Sequence, residues 1–198
     1  MKQGRFIVLE GIDGAGKTTQ CASLAEWLGG RGQDVVCTSE PTDGPWGRRY
    51  RDWASGGFEA SAEDVLGFFV EDRREHVRDL IRPALEAGSW VICDRYVAST
   101  RAYQAAAGLD LALLARALDE PGTPRPDLTL WLRLEVDRGL ARLAGEARER
   151  FERAEFLARV DAEYARMGLV EVDAGAAVPD VQRELRRRVS EHFAMGEV

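Results

Sequence analysis

Histidine is nearly missing from this 198-residue chain: only His76 and His192 occur, too few for a multi-histidine metal centre or a Ser-His-Asp triad. Both are expected in structural or surface roles. The three cysteines, Cys21, Cys37 and Cys93, are an odd set without close spacing, each in an apolar setting. They are expected to be reduced, buried thiols rather than a disulfide framework. No apolar run approaches the length of a membrane span, and residues 1–5 lead into the first apolar segment with no signal peptide, so no membrane association and a cytoplasmic location are expected. Basic charge is in deficit too. With 27 Lys and Arg against 34 Asp and Glu, net charge −7 and a pI near 5.0, the chain lacks the broad basic face of a nucleic-acid binder.

What remains is the composition of an ordinary globular protein, 45% hydrophobic and 31% charged, with a length that suits one domain over residues 1–198. Its basic residues gather locally: Arg48, Arg49 and Arg51; Arg73 and Arg74; Arg148, Arg150 and Arg153; and residues 186–188. In an acidic chain such clusters are either phosphate sites or solvated helix faces.

The most informative stretch opens the chain. Phe6, Ile7, Val8 and Leu9 form an unbroken apolar run, as in a parallel strand buried on both faces. Gly11, Ile12, Asp13, Gly14, Ala15, Gly16, Lys17, Thr18 and Thr19 follow, with the spacing Gly-x-x-x-x-Gly-Lys-Thr. Apolar Cys21, Leu24, Ala25 and Leu28 then recur at helical spacing. Strand, glycine loop and helix together make a phosphate cradle. The glycines let backbone N–H groups close on a phosphate, the helix adds its positive end, Lys17 brings charge, and the Thr18 hydroxyl is a ligand for the magnesium that accompanies a nucleoside triphosphate.

Further strands are expected over residues 34–39, 89–93, 127–132 and 168–172. Helices are expected over 62–87, after Tyr96, over 136–143, around Phe156, Val160 and Tyr164, and from Val178 to Val189. Alternating strands and helices imply a five-stranded parallel sheet covered on both faces, a three-layer α/β sandwich. Residues 144–153, charged and weakly periodic, are the candidate for a short Arg-rich lid.

Candidate chemistry lies at strand ends. Glu40 precedes Pro41 after the second strand, where it serves either an arginine or substrate hydroxyl or the turn itself. Phe69 and Arg73 are one helical turn apart, an aromatic plane beside a guanidinium that suits a base, or equally a core aromatic beside a surface charge. Asp94 ends the third strand as a direct or indirect magnesium partner, Arg95 next to it is placed to bridge phosphates, and the following helix carries Ser99, Thr100, Tyr103 and Gln104.

Read in order, these blocks resemble the thymidylate kinase family. They are residues 10–20, Glu40-Pro41-Thr42, Phe69 with Asp72-Arg73, Asp94-Arg95-Tyr96 with Ser99 and Ala102-Tyr103-Gln104, residues 126–130, Arg150-Phe151-Glu152 and Val172-Asp173-Ala174. The glycine loop is widely shared; the block from Asp94 to Gln104 is specific. The resemblance implies transfer of the γ-phosphoryl of ATP to thymidine monophosphate, with magnesium, in a homodimer. It puts Asp13 on the sugar 3′-hydroxyl and Phe69 against thymine. Arg73 and Arg95 fall on the base and acceptor phosphate, Thr100 on the pyrimidine edge, and Tyr103 near the ribose 2′ position. With Gly14 where some members have arginine, the catalytic arginine is expected from the lid, as Arg148, Arg150 or Arg153. Ser39 replaces a basic residue usual before Glu-Pro. Alternatives are a kinase for another deoxynucleotide or nucleoside, or a nucleotide-dependent switch protein.

Overall fold

A computed structural model describes residues 4–143 and 154–196. The proposed lid, with Arg148, Arg150 and Arg153, lies outside the described residues. Five strands form one parallel sheet: β1 (Arg5–Glu10), β2 (Val35–Ser39), β3 (Trp90–Asp94), β4 (Leu128–Arg133) and β5 (Val170–Asp173), in the order β2-β3-β1-β4-β5. β1 is central, with Leu9 level with Asp94 of β3 and Leu130 of β4.

The unbroken apolar run of β1 divides by the period of two. Ile7 and Leu9 face one layer, packing with Leu24 and Leu28 of α1 (Lys17–Gly29), while Phe6 and Val8 face the other, beside Val77, Ile81 and Tyr96. Both faces are covered, which is why the strand is apolar without a break from Phe6 to Leu9.

Two helices escaped sequence reading. α2 (Pro45–Ala54) begins with proline at its first position and buries Tyr50, Trp53 and Ala54 against Val65 and Phe68 of α3 (Ala62–His76). The expected helix over residues 62–87 runs as α3, a π-helical turn at Val77–Ile81, and α4 (Arg82–Ala87). Pro83 has no N–H for the Asp79 carbonyl and its ring crowds that group, so the wider turn falls just ahead of it. Next come α5 (Val97–Ala106) and the second missed helix, α6 (Leu111–Leu118), which Asp110 caps by accepting from the N–H groups of Ala112 and Leu113 at 3.0 Å each. The chain is completed by α7 (Val136–Arg142), α8 (Ala154–Ala165) and α9 (Val178–His192).

One cysteine expectation needs correction. Cys21 and Cys93 are buried thiols, but Cys37 is exposed, because β2 is the edge strand of the sheet. The Arg187–Arg188 part of the 186–188 cluster is a solvated face, pairing with Glu184 and Glu191 along α9.

Candidate active site

All five strands run in one direction, so their carboxyl ends gather along one edge and the loops leaving them converge there. A cleft of about 690 Å³ opens at that edge, lined by residues from β1, β2 and β3 ends and from α2, α3, α5 and α7. Gly14, Gly16, Lys17, Thr18 and Thr19 line it together with Tyr50, Phe69, Thr100 and Tyr103.

The glycine loop connects β1 to α1, with Gly16 at φ 86° just before the helix. Gly14 is at φ 79° and its backbone presses on α7: a Cβ there would lie 2.4 Å from the Gly139 carbonyl oxygen, and a Cβ on Gly139 would meet the Asp13 carbonyl at 2.8 Å. The loop and α7 therefore meet glycine to glycine. Lys17, buried, donates from Nζ to the Ile12 carbonyl at 2.9 Å. Burial, with the Arg95 cation adding to it, pushes its ammonium down to about 8, against the pull of Asp94, Asp13 and Glu10.

The Thr18 hydroxyl donates to Asp94 Oδ2 at 2.6 Å, while Asp94 Oδ1 is buried with no partner in the protein. A carboxylate oxygen held dry and unmatched, next to a threonine hydroxyl at a glycine loop, suits a hard divalent cation. Among the described residues no group of three or more His, Cys, Asp and Glu side chains could hold a metal alone.

Arg95 lines the same cleft. Its backbone takes the left-handed conformation at φ 69°, and its guanidinium donates to the Gly11 carbonyl (3.0 Å), Ser99 Oγ (3.2 Å), the Tyr103 hydroxyl (3.3 Å) and Asp13. Tyr103 donates in turn to Asp13 Oδ2 at 3.0 Å. Burial works against the charge on Asp13, but the adjacent Arg95 and Lys17 cations overcome it and hold the carboxyl below its usual range. Asp13, Arg95, Ser99 and Tyr103 thus form one cluster.

Arg73 forms a second. Buried on α3, it donates to Glu40 Oε2 from Nε (3.0 Å) and Nη2 (2.6 Å) and to Thr100 Oγ1 (2.8 Å), with its guanidinium 4.8 Å from the Tyr96 ring centre. Glu40 precedes a cis peptide to Pro41, and its other oxygen meets His76 Nδ1 at 3.1 Å, whose Nε2 lies 2.8 Å from Thr38 Oγ1. Of the two expected alternatives, Glu40 orients an arginine. His76 has the structural role expected of it, and His192 is at the surface.

Phe69 is half-buried and lines the cleft, its ring 4.6 Å from that of Tyr50. Gln104 is buried one turn beyond Thr100; it does not line the cleft, and its Nε2 has no partner. Sequence reading missed Tyr50, Arg51 and Arg142 as cleft residues. Arg51 donates to the Pro41 and Thr42 carbonyls (3.2 and 2.7 Å), and Arg142 to those of Gly14 and Ala174 (3.1 Å each). Tyr50 and Arg51 belong to the missed helix α2; Arg142 carried no signal beyond its charge.

A parallel sheet with a glycine loop after its central strand, and a cleft lined by Lys17, Thr18, Asp94 and several arginines, defines a P-loop nucleotide-binding protein. Comparison with known proteins names the family. The thymidylate kinase family model matches residues 9–185. The chain is 37% identical over 198 residues to the thymidylate kinase of Desulfotalea psychrophila, covering 97% of each chain. It is 44% identical over 208 residues to that of Synechococcus sp., covering 96% of this chain and 99% of the relative. To that of Xanthomonas campestris pv. campestris it is 47% identical over 186 residues, covering 91% and 81%. The chain belongs to the thymidylate kinase family, and its function is that of an ATP:dTMP phosphotransferase.

Proposed function

We propose that the cleft holds ATP at the glycine loop and thymidine monophosphate against Phe69, with the two phosphate groups meeting between Lys17 and Arg95. The observation that carries this reading is that Lys17, Thr18, Arg95 and Phe69 line the same cleft. Residues 11–19 take the donor phosphates, with Lys17 on the transferred group. Asp13, Glu40, Phe69, Arg73, Arg95, Ser99, Thr100 and Tyr103 take the acceptor. Gln104, expected among them, is buried behind Thr100 and does not line the cleft, so it takes no part in holding the acceptor.

Phosphoryl transfer needs two anions brought in line and their charge neutralised, which positioned cations accomplish without covalent help from the protein. Phe69 offers a face to the base, and Arg73, fixed by Glu40, offers its remaining donors to the base's acceptor oxygens. Arg95 meets the acceptor phosphate. Tyr103, tied to Asp13, occupies the side of the sugar where a 2′-hydroxyl would sit. Thr18 and Asp94 hold magnesium, which when bound neutralises charge on the donor phosphates. Arg148, Arg150 and Arg153 supply the lid's charge. The chain works as one kinase domain, as a homodimer through apolar helix faces such as that of α6, whose Leu111 is 55% exposed, and in the cytoplasm.

The test is ADP release with a panel of nucleoside monophosphates. Thymidine monophosphate should exceed deoxycytidine and deoxyguanosine monophosphates in kcat/KM by roughly a hundredfold or more, since each unmatched buried polar group costs on the order of 1–3 kcal/mol. Equal rates across the panel would reject the acceptor assignment. ADP release unaffected by any monophosphate would reject two-substrate transfer and leave a switch protein.

A further inference from the structure

Glu10 is the last residue of β1, completely buried, and none of the roles above uses it. Four donors converge on its carboxylate. Oε1 accepts from the backbone N–H groups of Tyr96 (3.0 Å) and Ser99 (3.2 Å); Oε2 accepts from the hydroxyls of Ser99 and, at 3.1 Å, Tyr164. Ser99 Oγ and the Tyr164 hydroxyl are themselves 2.8 Å apart.

The two N–H groups are the free donors at the start of α5. Tyr96, the residue before that helix, makes no side-chain cap of its own. Glu10 caps the helix from the neighbouring strand, and its charge faces the positive helix end. Immediately before Tyr96 comes Arg95, in a left-handed conformation that costs free energy for any residue with a side chain. Three contacts hold that bend: the Arg95 N–H donates to the Leu9 carbonyl at 2.9 Å, Cys93 Sγ donates to the Arg95 carbonyl at 2.9 Å, and Glu10 takes the Tyr96 N–H next along. With this bend the guanidinium reaches Gly11 and Asp13 of the glycine loop while also meeting Ser99 and Tyr103 on α5.

We propose that Glu10 is a positioning residue for the acceptor: its carboxylate pins the bend after β3 and the first turn of α5, and so aims Arg95 at the acceptor phosphate. An apolar residue of the same size would fill the space but leave the N–H groups of Tyr96 and Ser99 buried without acceptors. Burial pushes the Glu10 carboxyl up, while Ser99, Arg95 and Tyr164 act against that. The inference rests on the reading of Arg95 as the acceptor-phosphate clamp, and on geometry that an anion at Glu10 fits better than any neutral group.

Steady-state kinetics of Glu10→Gln, Arg95→Ala and the double variant test it, with Tyr164→Phe as a milder change that removes one donor. Glu10→Gln should raise the acceptor KM by roughly tenfold with the ATP KM within about twofold, and Tyr164→Phe should do the same by roughly threefold. In the Arg95→Ala background, either change should shift the acceptor KM by less than about twofold, because no guanidinium is left to misplace. If Glu10→Gln fails to fold, the cycle of Tyr164→Phe with Arg95→Ala decides. Equal rises in both KM values, unchanged acceptor KM, or effects that multiply with those of Arg95→Ala would overturn the inference. If Arg95→Ala itself leaves the acceptor KM unchanged, the clamp reading fails instead.

Discussion

Burial, with the Arg95 cation beside it, pushes the Lys17 ammonium down from its ordinary 10.5 to about 8. That difference disfavours the charged form by about 3 kcal/mol at roughly 1.4 kcal/mol per pH unit. The sign follows: below pH 8 the lysine is charged and ready for an anion, and above it the free enzyme loses the cation. Between about 8 and 10.5 the folded chain binds fewer protons than the unfolded one, so this group's contribution to stability increases as pH rises through that window. Phosphates of ATP placed against Nζ favour the charged form and move the titration upward. The account therefore predicts that kcat/KM for ATP falls about tenfold per unit above pH 8, whereas kcat, which reports the complex, stays level for at least about a unit more. In Lys17→Arg the descending limb should vanish, at lower overall activity, because a guanidinium does not titrate there. A flat kcat/KM profile from pH 7 to about 9.5, or a limb that survives Lys17→Arg, would refute the reasoning.

Three further outcomes follow from the same geometry. Phe69→Ala should weaken thymidine monophosphate roughly tenfold or more by calorimetry, since base–aromatic stacking contributes about 1–3 kcal/mol, with ATP affinity unchanged; equal weakening of both would make Phe69 a core residue only. Asp94→Asn should raise the magnesium concentration for half-maximal rate by about tenfold or more while the melting temperature changes little, because a neutral amide replaces the carboxylate beside Thr18; an unchanged magnesium requirement counts against that pair. Cys37, whose thiol is brought to about 7 chiefly by the Cys21 thiol beside it, should be the first cysteine alkylated near neutral pH. Cys21 and Cys93, pushed upward and buried, should lag, and Cys37→Ser should remove the fast phase.

Much of this was legible from residue order. The buried run of β1, the glycine spacing and the acid at the end of β3 depend on local periodicity and on where a strand must stop, and they fell where expected. Thr18 and Asp94, 76 positions apart in sequence, come within 2.6 Å because β1 and β3 are neighbours in the sheet. Strand order is a tertiary outcome that no local pattern contains. The same holds for Glu10, which in the sequence is one acid before a glycine and in the fold is the cap of a helix 86 residues away. α2 was hidden by the turn-rich segment in front of it, although Pro45 and the spacing of Tyr50, Trp53 and Ala54 were helix signals. Cys37 was misjudged because an apolar neighbourhood in sequence says nothing about whether its strand is central or at the edge.

The central claim, that donor and acceptor meet head to head in one cleft, is tested most directly by the binding of a single molecule that joins adenosine and thymidine through five phosphates. The account predicts that it binds far more tightly than either nucleotide alone, that one equivalent saturates the chain, and that it is displaced competitively by both ATP and thymidine monophosphate. Competition with only one of the two would contradict it.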